Sequence, residues 1–165
     1  LRKELRQHPL GSPSLWFLAQ LAVGSDYEEI IVQTLEEHAT LAESPQGSLD
    51  FLAAAHWELG QTEEALRLAN IGKERDCNNS DRTMSRNCLA WYDALIHENL
   101  DAQIAVMEEI VEQNPGRSDF IDTLAVLYEA NGESDKALDM SQKAMLFSGA
   151  DSYMLWQNLV KKTSK

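Results

Sequence analysis

Two stretches of the sequence, 72 residues apart, place similar residues at identical offsets: Leu49, Leu52, Ala53, His56, Gly60, Ala65 and Gly72 answer to Ile121, Leu124, Ala125, Tyr128, Gly132, Ala137 and Ala144. Repetition of this kind builds one supersecondary unit several times over. Each copy must stack on the next, because a single unit cannot bury its own apolar face. The small residues are the informative ones. Gly60 suits a sharp turn between paired helices, since glycine tolerates backbone conformations that crowd a β-carbon. Ala53, Ala65 and Gly72 suit close helix approach, because a larger side chain there would push neighbouring axes apart.

Apolar residues recur at three- and four-residue spacing, and strand-like alternation is nearly absent, so the class is all-α. Breaks at Gly24-Ser25-Asp26, Ser44 to Gly47, Gly60, Cys77 to Asp81, Glu98-Asn99, Pro115-Gly116, Asn131-Gly132 and Ser148-Gly149 separate the helical runs. The expected helices are near 13–23, 27–40, 47–59, 62–75, 83–97, 101–113, 118–130, 134–147 and 151–161. Unit starts at Ser12 and Gln46, and again at Met84 and Ser118, lie 34 residues apart, whereas Gln46 to Met84 spans 38. The four extra positions put an irregular loop or hinge at 77–83.

Leu49-x2-Leu52-Ala53-x2-His56 and Ile121-x2-Leu124-Ala125-x2-Tyr128, each followed by a spaced alanine (Ala65, Ala137), resemble the tetratricopeptide repeat, a helix-turn-helix unit of 34 residues. Pro9 and Pro115 fit its closing proline, while Cys77 and Gly149 replace it elsewhere. The third copy departs most: Trp91 and Gln103 stand where small residues are usual, and a one-residue slip would use Ala90 instead. The resemblance implies a right-handed α-α superhelix of about four helix pairs plus a C-terminal capping helix. Its repeats would be 12–45, 46–83, 84–117 and 118–149. Residues 1–10, with Leu1, Leu5 and Pro9, look like the end of a truncated preceding repeat, and 150–165 holds the cap with Tyr153, Met154, Trp156 and Leu159.

Chemistry is harder to find. A formal charge of −13 argues against nucleic acid as a partner. No apolar run reaches the roughly 18 residues of a membrane span. His8, His38, His56 and His97 are scattered without HExxH spacing, so no metal or other cofactor is expected. His56 replaces an aromatic packing residue and reads as structural. No serine lies in a G-x-S-x-G context, and the pairs Glu28-Glu29, Glu36-Glu37, Glu63-Glu64 and Glu108-Glu109 fall on solvent faces, so the chain is not expected to be an enzyme. Cys77 and Cys88 are read as two small apolar thiols. A bridge between them is the alternative, because both flank one interhelix connection. A cytoplasmic location is favoured over a periplasmic one.

Binding is the stronger expectation, because stacked helix pairs leave a concave surface lined by the first helix of each unit. Helical spacing puts Trp16, Phe17 and Gln20 there, then Asp50, Phe51, Ala54, Trp57 and Glu58, then Tyr92 with Leu95 and Ile96, then Asp119, Asp122, Thr123, Val126 and Glu129. Such a groove is acidic and aromatic and matches a basic, partly apolar peptide or helix. The rival reading of Trp16, Phe17, Phe51 and Trp57 is packing between units. Tetratricopeptide domains that hold a terminal carboxylate do so with Lys, Arg and Asn; Asp50, Asp119 and Asp122 would repel one. The expected role is a protein-interaction scaffold or adaptor. Its rivals are a regulatory or substrate-recruiting appendage of a larger enzyme, regulator or secretion-assembly protein, and a homo-oligomeric module self-associating through Trp156.

Overall fold

The computed structural model describes residues 48–148, together with Glu29, Val32 and Gln33, which are helical. The described residues form six helices and no strand: α1 (Ser48–Glu58), α2 (Thr62–Asp76), α3 (Arg82–Leu95), α4 (Leu100–Gln113), α5 (Ser118–Ala130) and α6 (Ser134–Ser148). All six stand within two residues of their expected bounds. The other expected helices (13–23, 27–40 and 151–161) lie outside the described residues, apart from the three positions named.

Each of α1, α3 and α5 ends in the same hydrogen-bonded turn. After α1, Gly60 N–H donates to Trp57 O (2.9 Å) and Gln61 N–H to His56 O (2.9 Å), with Gly60 at φ +72°. After α5, Gly132 N–H donates to Glu129 O (3.0 Å) and Glu133 N–H to Tyr128 O (2.8 Å), with Gly132 at φ +79°. This pair of bonds satisfies carbonyls that the helix leaves open, and it requires one left-handed residue. After α3 that residue is His97, at φ +55°, with Glu98 N–H donating to Asp93 O (2.9 Å). A β-carbon in this conformation costs roughly 1–2 kcal/mol. The helix expected to run to His97 therefore stops at Leu95, two residues short.

The helices pack pairwise, α1 on α2, α3 on α4 and α5 on α6. The first members also lie against one another, α1 on α3 and α3 on α5, while α2 meets α3 and α4 meets α5. One continuous apolar core results, running from Leu49 to Ala144 and touched by Val32. Alanines at Ala53, Ala65, Ala69, Ala90, Ala125, Ala137 and Ala144 are fully buried within it. At the third unit the fully buried small residue is Ala90, whereas Trp91 is half-buried, which favours the slipped register.

Gly72 does more than spare room. A β-carbon built on it would lie 2.5 Å from Tyr92 Cε1 and nearer still to Cζ and Oη, so the tip of the Tyr92 ring occupies the space a side chain would fill. Just beyond, Cys77 caps the C-terminus of α2 and is joined by a disulfide to Cys88 of α3, with the two Cα atoms 5.3 Å apart. The expectation of two free thiols is corrected: the extra residues of the long connection form a loop closed by this bond. Asp81 starts α3 by accepting hydrogen bonds from Thr83 N–H (2.8 Å) and Met84 N–H (3.3 Å).

Candidate functional site

The expected groove residues separate into three groups. Trp16, Gln20 and Phe17 lie outside the described residues, as does the side chain of Phe51. Asp50, Ala54, Tyr92 and Val126 are buried, as are Leu95, Ile96 and Thr123, so none of these presents a contact surface in this structure. Trp57, Asp122 and Glu129 are half-buried, and Glu58 and Asp119 are exposed.

Burial of the second group has specific causes. Asp50 Oδ2 accepts the indole N–H of Trp91 (2.9 Å), which ties α1 to α3. Tyr92 turns towards α2, where its hydroxyl donates to Asp76 Oδ2 (2.8 Å) and Arg75 Nε donates to Asp76 Oδ1 (2.6 Å). Ala54 and Val126 lie in the core, within 6 % of full burial. Two of the side chains expected in the groove, Asp50 and Tyr92, thus each fasten one helix to its neighbour.

Burial, followed by the Asp50 charge and the hydrogen bond to Asp76, pushes the Tyr92 hydroxyl far above the ordinary tyrosine range. Burial and the bond to Glu108 Oε1 (2.5 Å) raise Tyr128 as well. A phenol whose folded pKa is raised favours folding below its unfolded value near 10, and that contribution falls as pH rises further. On alkaline titration, tyrosinate absorbance from Tyr92 and Tyr128 should therefore appear only together with loss of the helical circular-dichroism signal. Variants Tyr92→Phe and Tyr128→Phe should each remove one coincident step.

A second polar cluster sits where the third repeat loses its small-residue pattern. Asp93 is 3 % exposed and is paired with Lys73 of α2, while Gln103 Nε2 of α4 donates to Asp93 Oδ2 (2.6 Å) and Asn99 Nδ2 lies 3.4 Å from the same oxygen. Gln103 stands where Ala65 and Ala137 stand in the neighbouring units. A hydrogen-bonded carboxylate thus replaces alanine packing at this junction. The cluster thus joins α2, α3 and α4, and removing one partner of such a buried pair would leave a charge uncompensated.

At the surface, the Trp57 and His97 rings stack with centroids 5.2 Å apart and planes 14° from parallel. His97 is exposed, so an aromatic pair drawn from two successive units reaches solvent. Sequence reasoning did not assign His97 to the surface groove; the missed signal was its place at a helix end equivalent to Gly60 and Gly132. Asp119 is engaged by Arg117, whose Nε and Nη2 donate at 2.9 and 2.6 Å, and the guanidinium lies 4.3 Å over the Phe120 ring. That pairing offsets one of the acids expected to repel a carboxylate. His56 is buried, with Nδ1 2.5 Å from Gln61 Oε1, in the structural place expected of it.

Among the described residues, no three His, Cys, Asp or Glu side chains converge in a way that could hold a metal ion. No helix among them is long and apolar enough to cross a membrane. Trp57, Glu58, His97, Asp122 and Glu129 keep at least partial exposure and combine aromatic area with carboxylates. Set against known protein families, curated proteins and solved structures, the chain matches none.

Proposed function

We propose that the chain is a tetratricopeptide-like interaction module that binds a basic, partly apolar peptide or helix of a partner protein across α1, α3 and α5. The observation that carries this reading is the Trp57–His97 stack, in which a half-buried indole and an exposed imidazole from successive units form a partly exposed aromatic pair. Glu58 beside it, with Asp122 and Glu129 on α5, supplies carboxylates of the complementary sign. Pairwise packing, with α1 on α3 and α3 on α5, is the arrangement a stacked repeat needs to line up such a surface. Aromatic anchors typically supply most of an interface's energy, and charge supplies attraction and register.

The Cys77–Cys88 bridge bears on where this happens. Disulfides persist in oxidising compartments and are rare in the reducing cytosol, so the bridge favours an extracytoplasmic setting over the cytoplasmic one expected from sequence.

A labelled amphipathic peptide of alternating Lys and Leu is a suitable probe, with its Glu counterpart as control. Trp57→Ala combined with Asp122→Lys should weaken binding of the basic peptide at least about tenfold, since each change is of the size seen at interface hot spots. Helical circular dichroism should be unchanged. Equal affinity for both peptides, or no loss in the double variant, would refute the groove.

A further inference from the structure

Asn78-Asn79-Ser80, in the connection between α2 and α3, is the only place in the chain where an asparagine is followed two residues later by Ser or Thr with no proline between. That pattern is the acceptor for an N-linked sugar, and it is used on surface loops of secreted proteins. The pattern alone recurs by chance, but here the fold supplies two further conditions. Asn78 and Ser80 are both exposed and lie outside any helix. The hydrogen bonds that shape the loop run through other groups: Asn79 N–H donates to Cys77 O (3.0 Å), Asp81 N–H to Asn79 Oδ1 (2.9 Å) and Ser85 Oγ to Cys77 O (2.6 Å). A substituent on the Asn78 side-chain amide breaks none of them. The residue immediately before the acceptor is Cys77, bonded to Cys88, and disulfides persist in the oxidising secretory compartment where such sugars are added.

We propose that Asn78 is an N-glycosylation site. The donor is an oligosaccharide linked to a lipid through a diphosphate. Asn78 Nδ2 forms a bond to the anomeric carbon of the first sugar, the bond from that carbon to the diphosphate oxygen breaks, and the lipid diphosphate leaves as the amide gives up one proton. No oxidant or reductant takes part. Ser80 supplies the hydroxyl by which the transferring enzyme selects this asparagine. The sugar stands before the first residue of α3, whereas His97 follows its last turn, so about 21 Å of helix separates the site from the Trp57–His97 pair. The groove therefore stays open when the sugar is present. The site rests on the oxidising setting argued from the Cys77–Cys88 bond and is independent of the groove.

The full chain, secreted from cultured eukaryotic cells behind a cleavable signal sequence, provides the test. Its intact mass should exceed that of the polypeptide by one oligosaccharide, and peptide N-glycosidase should remove the excess and leave a carboxylate at position 78. Asn78→Gln and Ser80→Ala should each abolish the excess completely, whereas Ser80→Thr should retain it. Both residues are exposed, so all three variants should keep the helical circular-dichroism signal. Thiol alkylation before and after reduction reads the Cys77–Cys88 bond in the same samples and scores the oxidising setting separately from the sugar. A bonded chain without excess mass would overturn the site and leave that setting standing. Free thiols without a sugar would overturn both, and an excess that persists in Asn78→Gln would overturn the assignment to this residue.

Discussion

Gly72→Ala should lower stability by about 3 kcal/mol, and among the described glycines Gly72 alone has a neighbouring side chain where the new β-carbon would sit. The new β-carbon collides with the tip of the Tyr92 ring. Overpacking of this kind costs typically 1–3 kcal/mol, and displacing the ring also breaks its bond to Asp76, leaving buried polar groups unsatisfied at about 1–3 kcal/mol more. For a chain of this size a loss of about 3 kcal/mol lowers Tm by roughly 6–12 °C. The cause can be isolated by a double-mutant cycle. Tyr92→Leu shortens the side chain that α2 and α3 must accommodate, so the Gly72→Ala/Tyr92→Leu variant should lose less than the two single changes added together. Strict additivity would place the damage elsewhere, for instance in helix α2 itself. Intrinsic propensity works in the opposite direction, since alanine stabilises a helix interior by nearly 1 kcal/mol relative to glycine. A net loss therefore identifies the interhelix contact as the stronger effect.

Reducing the Cys77–Cys88 bond should lower the unfolding free energy by about 3 kcal/mol. The two residues are 11 apart in sequence, and constraining a loop of that length removes chain entropy from the unfolded state by about this amount. The prediction is checked by urea unfolding with and without reductant, with the Cys77→Ser/Cys88→Ser variant as the reference that no longer responds. The folded structure should survive the change near room temperature, because Gly72–Tyr92 contact and the Lys73–Asp93 pair hold α2 to α3 independently. An unaltered midpoint in reductant would mean that the thiols are free in solution.

How far the sequence reached is clearest at the three equivalent helix ends. Gly60 and Gly132 were legible as turns, because a left-handed residue at a helix C-terminus is usually glycine. The third turn lies one or two residues before the Glu98-Asn99 break because His97 takes the same conformation with a β-carbon, and nothing in residue type announces that. The burial of several expected groove residues has a related reason. Helical spacing places Asp50, Ala54, Tyr92 and Val126 on a face of their own helix, but that face is shared between solvent and two neighbouring helices. Tyr92 goes to α2 because Gly72 leaves a gap there, and Asp50 is occupied by an indole N–H from position 91. Trp57, Glu58, Asp122 and Glu129 keep at least partial exposure.

The weak third copy carries the same lesson in its chemistry. Gln103 looked like a breach of the small-residue rule. In the fold it donates to a buried carboxylate that Lys73 neutralises, so the rule is replaced by a polar junction rather than broken. Helix positions, their pairing along the chain and the period of the units were set by the sequence itself, since turn formation and apolar periodicity depend on residues within a few positions of one another. Which aromatic is sheltered, which acid is neutralised and whether the cysteines join were decided only in three dimensions. Each of those outcomes depends on atoms brought together from different helices, and contacts of that kind leave no local trace in the order of residues.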